Sequence, residues 1–473
     1  MKSPLLLTII TSISLAPPLQ ARTFTDTQGR TMEAEIVSYD SGDSVTIKRS
    51  DGLEFSLPLN KLSAADQDYI RQWKTPEAPT AKIATANDLN RINKIVGAEL
   101  FADGNLWDDA PGDAAQRLGW PQESQTATQS SYRIYNKPND RLFGARPFSS
   151  VLYGKDGRVD MISIIFANKG DSISKDTVIG KEAIKQIADA IARDGDTISK
   201  QLAALGEPEQ LTTATGRNLK ERLHIWEWSG HVFTLAVQDG EYVALRIIPP
   251  EQAANRGRPE RIASSALREQ AKANLDKRTN GDVVITNIPM VNQGPKGYCV
   301  PATLERVLRY MGVSADMYLL AMAGQTEIGG GTRVSDLING TEGYLKSAGR
   351  EMERKQFKLK ARSIAKYIDD GQPILWTLYS TREFNDLANS NTQARSQYDN
   401  AEAWKKALKE KLRSAPELIP NRETAHICMI IGYNSETDEI AISDSWGPQY
   451  AERWVPAEQA EQVSQGGFWI VDF

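Results

Sequence analysis

Residues 291–303 read Val-Asn-Gln-Gly-Pro-Lys-Gly-Tyr-Cys-Val-Pro-Ala-Thr. Cys299 is one of two cysteines in a chain of 473 residues, and Gln293 stands six positions before it. Pro301 suits the first turn of a helix, where its missing N–H costs nothing. Leu304, Val307, Leu308 and Met311 then recur at three-and-four spacing, so Cys299 is expected at or just before a helix N-terminus. Free N–H groups and the helix dipole favour a thiolate there. Gly294 and Gly297 allow the loop to bring its backbone N–H groups close to a ligand. Three readings of Cys299 remain open on this stretch alone: a nucleophile, half of a disulfide, or an inert buried thiol.

The segment after residue 282 holds one histidine, His426, in the apolar run Thr424–Asn434. That run reads as a buried strand, and Glu439–Asp444 reads as a second. Joined as antiparallel neighbours by the turn 434–438, the two strands bring His426 beside Asp444. A Cys–His–Asp relay needs that arrangement: the thiolate attacks, the imidazole moves the proton, and the carboxylate fixes the tautomer. The Cys299 N–H and the Gln293 side-chain amide are the candidate oxyanion donors. Gly297, Tyr298 and Trp446 are candidate substrate-binding positions, with Trp446 expected to cover the His–Asp pair from water. Asn434 ranks below Asp444 as third member because it lies in the turn. Cys428 is two residues from His426 and shares its side of the strand, which makes it the rival disulfide partner for Cys299. Without paired ligand spacing, one histidine and two cysteines imply neither a metal nor a cofactor.

Here the segment resembles papain-like cysteine peptidases. Gln293 and Cys299 match that family's glutamine and nucleophile at its spacing. Ala425-His426, followed by Gly432-Tyr433, matches its histidine strand. Asp444-Ser445-Trp446-Gly447 matches its Asn-Ser-Trp-Gly, with aspartate replacing asparagine. Tyr298–Thr303, Arg309–Gly312, Gly331–Leu337 and Gln372–Leu375 look most like the bacteriocin-leader-processing (double-glycine) branch, whose third member is aspartate. The resemblance covers residues 282–473 and implies a papain-like α+β domain that hydrolyses peptide bonds, with a peptide or protein as substrate. Two features depart from that branch. Val300 stands where it has glycine, and residues 381–422 form a charged insert, expected to be a solvated helical decoration rather than a lid. The competing functions are a non-catalytic peptide-binding module and an amidase or acyl transferase using the same relay.

The rest of the chain supplies context. Hydrophobic residues make up 40%, charged residues 25%, and the net charge is −5, which gives no electrostatic reason to expect nucleic acid as a partner. Residues 1–21 carry Lys2, a short apolar core and a small-residue site, the pattern of a secretory signal peptide. Secreted or periplasmic placement follows, with no stable membrane span after cleavage; the alternative is an N-terminal anchor. Residues 22–73 predict four or five short strands and a helix capped by Ser63, a small SH3-like barrel. This segment resembles the SLA-type homology-one domain, which implies a protein partner. Residues 74–88 read as a linker. Residues 89–170 and 171–250 read as two copies of a helix followed by a β-meander, each with an Asp-Gly turn, at Asp156-Gly157 and Asp239-Gly240. His224 and His231 in the second copy read as structural. Residues 251–281 read as a charged, solvated helical connector. The expected class is therefore multidomain α+β: barrel, repeat pair, papain-like domain.

Overall fold

A computed structural model of the protein describes residues 22–39, 44–49, 54–73, 85–172, 180–214, 220–255, 257–294, 296–328, 331–398 and 400–473. The chain divides into two units, 1–82 and 83–473. The expected signal segment, most of the linker and the Asp51-Gly52 turn lie outside the described residues.

In the first unit, β1 (Arg22–Thr25), β2 (Thr31–Ser38), β3 (Ser44–Arg49) and β4 (Glu54–Pro58) form an antiparallel sheet in that order. Alternation puts Ala34, Ile36, Val45 and Ile47 on one face, where α1 (Ala64–Gln72) covers them with Ile70. The Asp66 N–H donates to the Ser63 hydroxyl oxygen at 3.2 Å, the expected helix cap. The Asp66 carboxylate in turn accepts from the Thr25 N–H and from Arg22, tying the helix to β1.

The second unit opens with α2 (Ala86–Val96), which starts inside the stretch expected to be linker because Thr85 and Asp88 build a capping box. After α3 (Pro111–Leu118) come β5 (Gln122–Gln125), β6 (Gln129–Tyr135), β7 (Ser149–Lys155) and β8 (Arg158–Asn168). Then follow α4 (Lys181–Leu202), β9 (Glu209–Ala214), β10 (Lys220–Trp228), β11 (His231–Gln238) and β12 (Tyr242–Ile248). The two meanders are not separate bodies. They join by their last strands, β8 to β12, into one eight-stranded antiparallel sheet of order β5-β6-β7-β8-β12-β11-β10-β9. The central strands are apolar on both faces, so both faces must be covered. One face, with Phe166, Phe233 and Leu245, takes Ile187, Ile191 and Ile198 of α4. The other, with Ile165, Ala236 and Ala244, packs on Tyr298, Ala302 and Met317 from the C-terminal region. His231 is a core residue whose Nε2 accepts the Leu106 N–H at 3.1 Å.

The connector holds α5 (Pro250–Ala254) and α6 (Ser264–Ala273). It is less solvated than its composition suggests, since Leu267 and Ala271 are buried and β13 (Leu275–Lys277) already belongs to the C-terminal sheet. The remaining elements are β14 (Asp282–Ile285), α7 (Cys299–Tyr310), α8 (Met317–Ala323), α9 (Val334–Ser347), β15 (Glu351–Lys355), α10 (Ala361–Asp369) and β16 (Ile374–Tyr379). After these come α11 (Arg382–Arg395), α12 (Ala401–Arg413), β17 (Ala425–Asn434), β18 (Glu439–Ser443), β19 (Arg453–Pro456), α13 (Ala457–Gln462) and β20 (Ser464–Asp472). The sheet runs β13-β14-β17-β16-β20-β15, with β18 and β19 continuing from β17. Helix α7 lies against β17, and the Thr303 hydroxyl donates to Ile427 O.

Buried charge joins the central sheet to α7. The Arg133 guanidinium donates to Glu123 at 2.8 Å and lies 3.5 Å from Glu305 of α7. Glu305 also accepts from the Tyr153 hydroxyl at 2.9 Å and from the Met317 N–H at 2.9 Å. Burial pushes the Glu305 carboxyl up to about 7, against the pull of Arg133 and Arg309. Removing one partner of such a group strands a desolvated charge. Arg133→Met is expected to destabilise the unit by roughly 3–5 kcal/mol, read as a lower midpoint in urea unfolding followed by tryptophan fluorescence.

Candidate active site

Helix α7 starts at Cys299, and no side chain caps its N-terminus. The thiol therefore meets unpaired backbone donors, and the backbone at Val300 and Ile427 favours its ionised form. Across from it, β17 and β18 pair antiparallel, with Met429 opposite Ser443. Asp444 follows directly on β18, and its Oδ1 lies 3.0 Å from His426 Nε2. With Nε2 engaged there, the imidazole faces the Cys299 thiol, and each group shifts the ionisation of the other. Three residues that lie 127 and 18 positions apart along the chain thus meet at one place.

Charge follows from that contact. Burial alone raises the Cys299 thiol, but the hydrogen bonding and positive charge of His426, with the backbone at Val300 and Ile427, bring it below its ordinary value. Burial alone lowers the His426 imidazole, yet its bonds to Asp444 and Cys299 raise it to about 9. Asp444 is held below the usual carboxylate range, since His426 and Arg453 outweigh its burial. All three directions agree with a thiolate–imidazolium pair backed by a carboxylate. The Trp446 ring stacks on His426 at 4.8 Å between centroids and covers one face of the imidazole.

Cys428 is a separate matter. Both cysteines are free thiols; Cys428 is fully buried, and burial keeps it protonated. Its ring of neighbours is the apolar core, whereas the partner of Cys299 is His426.

The other expected positions separate. The Gln293 N–H donates to Ser445 O at 2.8 Å, which seats the nucleophile loop beside the Asp444-Ser445-Trp446 turn. Gln293 Oε1 is buried without a hydrogen-bond partner. The Gly297 carbonyl accepts the Gly331 N–H at 3.2 Å, so Gly331 lines the loop before Cys299. Tyr298 corrects the expectation of a substrate contact. Its side chain is buried against Tyr318, and its hydroxyl donates to Asn168 Oδ1 of the central sheet at 3.2 Å. It turns away because the helix start directs consecutive side chains about 100° apart.

Sequence reasoning did not find what holds this loop. The Tyr135 hydroxyl donates to Asn292 O at 2.5 Å, and Glu123 accepts the Asn292 N–H at 2.7 Å. The Ser124 hydroxyl accepts the Met290 N–H at 2.8 Å. Gly294, at φ +70°, leaves room for the Tyr135 ring, which an added Cβ would meet at 2.8 Å. The insert is also more than decoration, since α11 buries Phe384, Ala388 and Asn391, and α12 buries Trp404 and Leu408. No sequence signal marks these partners, which come from segments over 150 residues away. Among the described residues, no group of three or more His, Cys, Asp and Glu is placed to hold a metal ion, and no helix is long and apolar enough to cross a membrane.

The ion pair makes a measurable expectation. Its reactive form exists above the depressed thiol value and is lost as pH rises through about 9, when His426 gives up its proton. Iodoacetamide at pH 6 should modify Cys299 within minutes and leave Cys428 intact until the protein unfolds, as read by peptide mass spectrometry. Equal labelling of both thiols, or none before a reductant is added, contradicts the pairing.

Residues 285–469 match the model of the Peptidase_C39 like family. A solved structure described as xylellain, a cysteine protease from Xylella fastidiosa, aligns at 12% identity over 43% of this chain and 88% of its own, with a TM-score of 0.27, a likeness too slight to place any residue. No curated protein matches the chain. Residues 285–469, less than half of the chain, are thus similar to the C39-like peptidase family.

Proposed function

We propose that this chain is an extracytoplasmic cysteine peptidase in which Cys299, His426 and Asp444 hydrolyse peptide bonds. One observation carries the reading: a single imidazole is bonded to a buried carboxylate and faces the thiol at a helix start. The Cys299 thiolate attacks the scissile carbonyl carbon. The oxyanion that forms takes hydrogen bonds from the Cys299 N–H and the Gln293 side-chain amide. His426 protonates the leaving amine, and the C–N bond breaks to leave a thioester. A water molecule then gives a proton to His426 and attacks the thioester, which releases the acid and restores the thiol. Asp444 holds the imidazole in one tautomer and stabilises it when charged.

Export is part of the proposal and rests on the apolar, Lys2-led N-terminus. Residues 22–73 are proposed as an SH3-like module that binds a protein partner. Substrate class is proposed as peptide or protein.

Incubation with a peptide library, followed by mass spectrometry, should yield discrete cleavage products that vanish for Cys299→Ala. On the best peptide, Gln293→Ala should lower kcat by on the order of 10²–10³ with little change in KM. Retained hydrolysis by Cys299→Ala overturns the mechanism.

A further inference from the structure

Asp444 has a second partner that the relay does not require. Its Oδ2 accepts from Arg453 Nη2, and both side chains are almost completely buried, at 1% and 3% exposed. The guanidinium is itself held from the other side. Arg453 Nη1 donates to Asn385 Oδ1 and Asn389 Oδ1, each at 3.1 Å. Both asparagines stand on α11, one turn apart, so they present their oxygens on one face. The guanidinium also lies over the rings of Trp446, at 5.4 Å, and Tyr450, at 5.3 Å. Trp446 is the ring stacked on His426, which closes the circuit.

We propose that Arg453 is a positioning residue for the Asp444–His426 couple, and that α11 of the insert locks it through Asn385 and Asn389. This rests on the peptidase reading above. The planar fork of arginine fixes one carboxylate oxygen while His426 takes the other, so Asp444 has one orientation. Its positive charge also offsets part of the negative charge that the imidazolium feels. The groups facing this couple are few. Strand β17 presents His426 and the protonated Cys428, α7 presents Cys299 and Arg306, β19 presents Arg453, and the turn before it presents Tyr450. Arg306 is tied to Ser443 and Ser445 and supplies a second positive charge on the α7 side. Glu439, the nearest other carboxylate on β18, is engaged by Asn391 and Trp404 instead. The insert therefore meets the relay at one cation.

The experiment follows the rate of Cys299 alkylation by iodoacetate, an anion that the imidazolium attracts, against pH in the full chain, with circular dichroism and thermal unfolding as checks of folding. The alkylation needs no substrate, and kcat and KM are read on the best peptide from the library. A wild-type Cys299 that never reacts faster than an ordinary thiol sinks the peptidase reading itself. Given a reactive wild type, Arg453→Gln should move the alkaline limb upward by on the order of one unit, because the imidazolium loses a nearby like charge. Arg453→Lys keeps the charge but not the fork, so its limb should stay within a few tenths of a unit of wild type while kcat falls roughly tenfold at unchanged KM. The double variant Asn385→Ala, Asn389→Ala leaves the pair in place and keeps the test available if Arg453→Gln does not fold. It should shift the limb in the same direction by about half as much. Folded double and Gln variants with a wild-type limb and wild-type kcat overturn the proposal.

Discussion

The site depends on one residue: the His426 imidazole, which faces the Cys299 thiol and is bonded to Asp444. A buried thiol is ordinarily harder to ionise, and a buried imidazole is harder to protonate. Placed against each other, the two burial effects are overcome by a single proton transfer that creates opposite charges in contact. The helix start adds its free N–H groups to the sulfur. Each group needs the others, because a thiolate without the imidazolium, or an imidazolium without the carboxylate, is an uncompensated buried charge.

That contact is maintained by parts of the molecule that take no part in the chemistry. The loop before Cys299 is pinned by Tyr135, Glu123 and Ser124 of the central sheet, which makes that sheet a wall of the peptidase domain. The helix carrying Cys299 is anchored through Glu305 to Arg133 and Tyr153 of the same sheet. On the far side, α11 reaches Asp444 through Arg453. Cys299 and Asp444 are thus held from two different directions. Arg306 links these directions, donating to Pro289 O ahead of the loop and to Ser443 beside Asp444.

Much of this was legible in the chain. The three-and-four spacing after Pro301 placed Cys299 at a helix start, and α7 begins at that residue. The apolar run around His426 and the short turn after it gave two paired strands with Asp444 at the end of the second. The meander strands and their Asp-Gly turns were visible as well. What misled were segments whose composition looked solvated. Residues 251–281 and 381–422 are rich in charge, yet a few apolar residues at helical spacing suffice to bury one face. Tyr298 was expected to contact substrate, but neighbours along a helix start point in different directions.

By itself, the sequence pointed to Cys299, His426 and Asp444 and determined the local elements that carry them, since helix starts, strand alternation and tight turns depend on residues a few positions apart. Only the tertiary structure decided which charges meet. Arg453 on Asp444, Arg133 on Glu305 and Tyr135 on the Asn292 carbonyl join segments with no shared periodicity. Such pairings are selected by the cost of leaving a polar group buried alone, and that cost exists only once the chain has folded.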